Sequence, residues 1–326
     1  MFESYSFGKH AVKYIKKNRY RIECIYISVW PLLAQYLIAK ISNRYSIPSV
    51  IHVQDIYPES LSNKIRFFGD YINKALIPLD KYILNHVSLI VAISENMRSV
   101  FKTTRAIPPH KIIIVRNWHD EGKFVITNDA GLKQAINTPE DRQFTFMYLG
   151  NNGPVAGVDF LIKSFIKADL PGALLVIAGS GSQKEKCMQI ANIHKNSNIV
   201  FTDVPSGKVP EMQDSADVLL LPVRKGASLS SIPSKLPAYM FSKKPIIACV
   251  ENDSDIALAI RQSECGWIVN PEDTDSLILA MKTAISSTKK DLLHYGENGF
   301  NYAMENFSKE KNLGLLVSSI IKTFCE

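Results

Sequence analysis

Cysteine is scarce in this sequence, and its scarcity narrows the function before any motif is read. Five cysteines (Cys24, Cys187, Cys249, Cys265 and Cys325) are scattered through 326 residues, an odd number with no C-x-x-C pair. That pattern argues against a disulfide framework and a structural zinc site, and it fits a reducing, cytoplasmic setting. Long hydrophobic runs are missing too. The most apolar N-terminal stretch, Val29 to Ile41, is broken by Pro31 and Gln35 and is too short to cross a bilayer, so it reads as a buried helix. No signal peptide is visible. Zinc-finger spacing and RNP-like aromatics are absent, which leaves nucleic acid without a recognition signal. No Walker A sequence exists either. The segment Gly150-Asn151-Asn152-Gly153-Pro154-Val155-Ala156-Gly157 lacks the G-x-G-x-x-G spacing, and Gly179-Ser180-Gly181 is not followed by an acidic residue that would hold a ribose. A nicotinamide site of the Rossmann type is therefore not expected.

What is present is the pattern of a folded α/β protein. Hydrophobic residues make up 46% and charged residues 21%, so disorder is not expected, and the length accommodates two domains. Short β-branched runs recur, each followed by an amphipathic segment. In the first half they are Ile22–Ser28, Ser49–Gln54, Ser88–Ile93 and Lys111–Val115. The second half has Phe144–Leu149, Ala173–Ala178, Asn198–Thr202, Asp217–Leu221, Pro245–Val250 and Trp267–Val269. Near-continuous apolar strands alternating with helices predict parallel sheets covered on both faces. A polar stretch from His119 to Arg142 separates the two sets, which predicts two doubly wound Rossmann-type domains facing a cleft. The boundaries follow as 1–122 for the first domain and 123–305 for the second. The first domain opens directly on a basic helix rather than a strand, so the chain is expected to start inside it.

The charge is uneven. Residues 1–125 hold 18 Lys and Arg against 9 Asp and Glu, whereas the rest holds 20 against 22. Lys9, Lys13, Lys16, Lys17, Arg19 and Arg21 begin at helical spacing. They form either a solvated helix face or a peripheral membrane contact.

The segment Ser231-Ile232-Pro233-Ser234-Lys235-Leu236-Pro237-Ala238, leading to the strand after Pro245, places Ser hydroxyls and a lysine at a helix start. Unpaired N–H groups and the helix dipole favour a diphosphate there. The glycines Gly150, Gly153 and Gly157, with Asn152 between them, either let backbone approach a phosphate or sugar or make a tight turn; Gly179 does the same one strand over. Asp55 ends an apolar strand, where a carboxylate positions a hydroxyl, acts as a base, or caps a helix; Glu59 is its weaker alternative. Asp253-Ser254-Asp255 and Asp273-Thr274-Asp275 imitate a D-x-D metal motif, but each precedes a helical pattern and reads as an N-cap. No metal and no cofactor are expected. His52 reads as a packed or hydrogen-bonded histidine.

These segments resemble, in order, the family-four retaining GT-B glycosyltransferases of bacterial O-antigen and capsular polysaccharide synthesis. The resemblance is carried by Val53-Gln54-Asp55-Ile56-Tyr57-Pro58-Glu59-Ser60, Val91-Ala92-Ile93-Ser94-Glu95, and Val115-Arg116-Asn117-Trp118. It continues through Tyr148-Leu149-Gly150-Asn151, Ile177-Ala178-Gly179-Ser180-Gly181, Ser215-Ala216-Asp217-Val218, the Ser231–Ala248 stretch and Asn306-Phe307-Ser308. It implies an acceptor domain, a nucleotide-sugar domain, and a final helix, 306–326, crossing back to the first domain. It also implies a further strand–loop–helix portion ahead of Met1. Several family positions differ: Asn151 and Ala156 stand where an Arg and a Lys are usual, Ser230 and Ala238 where paired glutamates are, and Gln54 where a histidine is. Lys235 and Arg224 are then the cations left for a diphosphate, aided by Ser230, Ser231 and Ser234, and the base would lie near Val204 and Pro205.

The resulting expectation is a retaining hexosyl-type glycosyltransferase. It would use a nucleotide diphosphate sugar, UDP-linked, and a lipid-linked saccharide acceptor, with Asp55 and Lys235 as catalytic residues. Two alternatives stay open: a catalytically silent nucleotide-sugar-binding remnant of such an enzyme, and a nucleotide-sugar epimerase on the same fold.

Overall fold

The computed structural model describes residues 2–28, 31–59, 69–124, 143–193, 198–228 and 234–325. The chain divides into two units, one formed by Met1–Asn117 with Glu310–Glu326 and the other by Trp118–Lys309.

In the first unit, four short strands form one parallel sheet in the order β1 (Ile25–Ile27), β2 (Ser49–His52), β3 (Leu89–Ala92), β4 (Ile112–Ile114). Every residue of β2 and β3 is buried, which explains why both read as unbroken apolar runs. Helices α1 (Phe2–Asn18), α2 (Leu32–Arg44), α3 (Gly69–His86) and α4 (Glu95–Arg105) accompany them. Ser94 caps α4, its hydroxyl accepting from the Met97 N–H at 3.1 Å. The final helix, α12 (Lys309–Cys325), belongs mostly to this unit. Its Asn312 side chain accepts from the Arg116 N–H just past β4, at 3.0 Å.

The second unit holds six parallel strands: β5 (Phe144–Leu149), β6 (Ala173–Ala178), β7 (Ile199–Thr202), β8 (Val218–Pro222), β9 (Ile246–Cys249) and β10 (Gly266–Val269). Their spatial order is β10-β9-β8-β5-β6-β7. The helices are α5 (Val158–Ala168), α6 (Lys184–Ile193), α7 (Val209–Asp214), α8 (Lys235–Phe241), α9 (Asp255–Ser263), α10 (Thr274–Ser286) and α11 (Lys289–Asn306). Successive strand residues point to opposite faces, so the sheet carries two cores. Met147, Leu149, Leu219 and Leu221 pack on one side with Leu236 and Tyr239 of α8, and Phe146, Tyr148, Val218 and Leu220 on the other with Leu161 of α5 and Met281 of α10.

All ten runs expected to be strands are strands, with ends shifted by at most three residues. The D-x-D look-alikes cap helices: Ser254 accepts from the Ala257 N–H at 3.2 Å and Asp273 from the Ser276 N–H at 3.0 Å. The stretch 125–142, most of the polar segment between the two strand sets, lies outside the described residues. Cys24, Cys187, Cys249 and Cys265 are free thiols. Among the described residues no helix is long and apolar enough to cross a membrane.

Candidate functional site

Strand order reverses in the second unit between β5 and β8, which are neighbours although two strands separate them in sequence. Loops leaving such neighbours diverge and open a crevice at the carboxyl edge, the usual ligand position of a doubly wound sheet. A cavity of about 210 Å³ lies there, and Asn151, Gly153, Ala156, Val223, Ser228 and Lys235 are among its lining residues.

The floor is built from glycine and tyrosine. Gly150 (φ +155°) follows β5, and a Cβ added to it would stand 2.0 Å from Lys235 Cε. At Gly179 (φ +121°) an added Cβ would stand 2.3 Å from the Gly150 carbonyl oxygen. Both positions therefore require glycine. Lys235 opens α8 with its side chain laid over the Tyr148 ring, Nζ 4.5 Å from the centroid, and donates to Tyr148 Oη at 2.6 Å. Tyr148 passes the bond on to the Asn151 carbonyl at 2.7 Å. Burial pushes the Lys235 ammonium down to about 8 and the Tyr148 phenol well up, so the lysine is cationic at neutral pH and the phenol stays protonated.

Helix α8 is anchored twice. The fully buried Tyr239 hydroxyl accepts from the Leu149 N–H at 2.9 Å and donates to the Leu149 carbonyl at 3.0 Å. The Ser234 carbonyl meets His119 Nε2 at 2.8 Å. These bonds fix Lys235 relative to the end of β5.

The other expected residues fall as follows. Gly150 and Gly179 form the floor, and Gly153 lines the cavity. Asn152 is fully buried, and neither of its amide atoms is hydrogen-bonded among the described residues. Ser234 sits at the N-cap of α8 without a side-chain capping bond, and Ser230 and Ser231 lie outside the described residues. Arg224 is not among the lining residues of the cavity: its guanidinium is held by Asp159 and by Glu272, the latter at 3.0 Å. Two carboxylates thus compensate a cation that the local sequence presents as unpaired. Val204 follows edge strand β7 with its side chain packed on the core. Its acidic neighbour Asp203 is exposed and pairs with Lys184 at 2.7 Å, which leaves backbone groups as what this position offers. Sequence reasoning missed Glu251, after β9, which accepts from the Gly226 N–H and the Ser228 hydroxyl and thereby shapes the wall between 226 and 228. A carboxylate at a strand's carboxyl end was the available signal.

In the first unit, Asp55 is exposed at the carboxyl edge of its sheet, three residues past the end of β2. The loop that carries it is clamped by a residue the sequence did not single out. Arg105, the last residue of α4 and fully buried, satisfies all five guanidinium N–H groups. Its Nε donates to Asp80 at 2.9 Å, and its two terminal nitrogens hold the Glu59 carboxylate in a fork at 2.5 and 2.6 Å. The remaining two N–H groups reach the Tyr57 carbonyl (2.9 Å) and Thr104 Oγ1 (2.8 Å). Glu59 is therefore a structural partner of Arg105. Desolvation pushes the Asp80 carboxyl up to about 6 against the opposing pull of Arg105.

Comparisons with known proteins bear on the fold. Residues 143–287 match the family model described as glycosyl transferases group 1. A probable glycosyltransferase, WbjE of Pseudomonas aeruginosa, is 24% identical over 233 residues, covering 70% of this chain and 57% of that protein. The chain thus spans a little over half the length of that relative. An uncharacterized glycosyltransferase of Methanocaldococcus jannaschii, MJ1069, is 24% identical over 296 residues, 86% of this chain and 69% of its own. Among solved structures, Anabaena HepE in complex with UDP aligns with a TM-score of 0.78 at 15% identity, over 97% of this chain and 82% of that one. Sucrose-phosphate synthase of Thermosynechococcus elongatus aligns at 0.74 and 14% identity, over 95% and 77%. The architecture is that of GT-B glycosyltransferases, two α/β units built on parallel sheets. The matched residues 143–287 lie wholly within the second unit.

Proposed function

We propose that this chain is a retaining glycosyltransferase that takes a UDP-linked sugar in the cavity of its second unit and transfers the sugar to a lipid-linked saccharide in surface polysaccharide synthesis. The observation that carries the proposal is Lys235, a half-buried cation over a glycine floor at the strand-order reversal of the unit that matches the group 1 model. HepE, which shares the fold, has been solved with UDP and with UDP-glucose. In the proposed chemistry the glycosidic bond to the diphosphate breaks and negative charge grows on the departing UDP. Lys235 and nearby N–H groups stabilise that charge, and fixed donors of this kind supply much of the rate enhancement of such reactions. Asp55 orients the acceptor hydroxyl.

A peripheral membrane contact belongs to this reading, because a lipid-linked acceptor is presented at a bilayer. Helix α1 buries Ser4, Gly8 and Ile15, while Tyr5, Phe7 and Tyr14, with Lys9, Lys13, Lys16 and Lys17, are exposed. Aromatic rings beside lysines suit an anionic bilayer surface, at about 1 kcal/mol per lysine. Replacing Lys13, Lys16 and Lys17 by Glu should release the chain from anionic vesicles in a flotation assay; unchanged flotation would remove the membrane contact from the proposal.

The second reading, a silent nucleotide-sugar-binding module, is favoured by two observations. Ala238 is buried in α8 and offers no polar group, and Arg224 is engaged by carboxylates. Incubating the chain with membranes and a UDP-sugar separates the readings. Acceptor-dependent release of UDP supports transfer, binding without release supports the silent module, and a new sugar nucleotide formed without membranes points to epimerisation.

A further inference from the structure

A second hydrogen-bonded chain crosses the sheet of the first unit, and it has no role so far. Tyr26 pairs with Val50 in the β1–β2 register, so its side chain shares a face with Val50 and His52. The rings of Tyr26 and His52 meet edge to face, centroids 6.1 Å apart, with Tyr26 Oη 2.5 Å from His52 Nδ1. On the other side of the imidazole, Gln54 Nε2 stands 2.9 Å from His52 Nε2.

These two contacts orient the hydrogens between the three side chains. His52 is only 7% exposed, and burial pushes its pKa down, so the ring is neutral at pH 7. A neutral imidazole has one N–H and one lone pair. An amide nitrogen can only donate, so Gln54 gives its hydrogen to Nε2, and the ring hydrogen sits on Nδ1. Nδ1–H then donates to Tyr26 Oη, and the phenol's own hydrogen makes no bond among the described residues. Tyr26 is 47% exposed, and burial of the rest pushes its pKa up, so that hydrogen is retained. The result is an exposed aromatic ring with one O–H left to donate, held by a histidine three residues before Asp55.

We infer that Tyr26 is a substrate-contact residue, its hydroxyl held by His52 and donating to an oxygen of a sugar on the acceptor side. A ring that stacks on the C–H face of a pyranose and a hydroxyl that reads its oxygens suit a saccharide together. His52 and Gln54 are positioning residues that act through Tyr26. The inference rests on the acceptor-side reading of this unit.

Two measurements test it. In the full chain labelled with ¹⁵N-histidine, with the His52 signal assigned by its loss in His52→Gln, two-bond correlations report which ring nitrogen carries the hydrogen. The inference expects an Nδ1–H tautomer at pH 7; an Nε2–H tautomer would mean that Tyr26 gives its hydrogen to His52, and would overturn it. The second is Tyr26→Phe, titrated with a short-chain alkyl diphosphate disaccharide. A rise of about tenfold in acceptor KM, or in Kd if the chain is silent, is expected for one lost hydrogen bond, with UDP affinity unchanged. Equal affinity of both proteins for the disaccharide overturns the inference. A disaccharide that fails to bind a native chain still binding UDP also overturns it, and leaves the donor site standing.

Discussion

Raising the pH through 8 should weaken nucleotide binding by way of a single side chain. Lys235 has an ammonium whose folded value lies at about 8 because of desolvation, and it donates to the neutral Tyr148 hydroxyl. A bound diphosphate would hold that ammonium protonated, since an opposite charge at contact distance favours the charged form. The free chain then loses the proton near pH 8 while the complex keeps it. Kd should be flat below pH 8 and rise about tenfold per pH unit above it, because a pKa difference is a difference in binding free energy. UDP itself is fully ionised across this range, its last phosphate proton leaving near pH 6, by about two units below the window. Calorimetry at pH 7, 8 and 9 in two buffers of different ionisation enthalpy reads the linked proton directly, with uptake approaching one proton per UDP at pH 9. Lys235→Gln should abolish both the uptake and the slope. A Kd that stays level to pH 9, or uptake that persists in Lys235→Gln, would refute the assignment. The same residue shapes stability in the opposite sense to a paired lysine. Between pH 8 and 10.5 the unfolded chain binds more protons than the folded one, so stability rises with pH over that window, by at most about 3 kcal/mol.

Further outcomes follow from the packing. Gly150→Ala would drive a methyl group into the Lys235 stem, where the clearance is 2.0 Å; UDP affinity should fall at least about tenfold, the equivalent of one lost charge-assisted bond, while far-UV circular dichroism is preserved. Wild-type affinity in that variant would mean that the lysine does not need its present position. Arg105→Leu leaves Glu59 and Asp80 without their cation and should lower unfolding free energy by about 3–5 kcal/mol, with Arg105→Lys retaining part of it; urea titration decides, and a loss under about 1 kcal/mol would show that the clamp carries little. Ser254→Ala should cost about 1 kcal/mol as a lost helix cap and leave transfer intact. EDTA should not slow turnover, and a chelator-sensitive rate would return Asp253 and Asp255 or Asp273 and Asp275 to consideration as metal ligands.

Strands and caps were legible because their signals are local. A run such as Ala173–Ala178 is buried at every residue, so its unbroken apolarity announces a central parallel strand. Ser254 and Asp273 stand directly before apolar periodic segments, which marks a helix start without tertiary information. The site was legible only where chain order decides it: Gly150, Gly179 and Lys235 follow or precede elements in a way that brings them to one sheet edge. Partners far apart in sequence were not. Arg224 reads as a loop cation from Pro222-Val223-Arg224-Lys225-Gly226, yet its carboxylates come from the start of α5 and from the turn after β10. Arg105 meets Asp80 and Glu59 only once α3, α4 and the loop after β2 are packed together. The Tyr239 bridge to Leu149, which sets the height of α8, spans 90 residues. The orphaned amide of Asn152 depends on the fit of two glycine loops that no local pattern specifies.

The central claim, a nucleotide-sugar site at the carboxyl edge between β5 and β8, is tested most directly by calorimetric titration of the chain with UDP at pH 7, with GDP and NAD as controls. The account predicts saturable binding of UDP, none of NAD, and loss of UDP binding in Lys235→Ala. A folded chain that binds none of the three, or that binds UDP equally well without the Lys235 side chain, would contradict it.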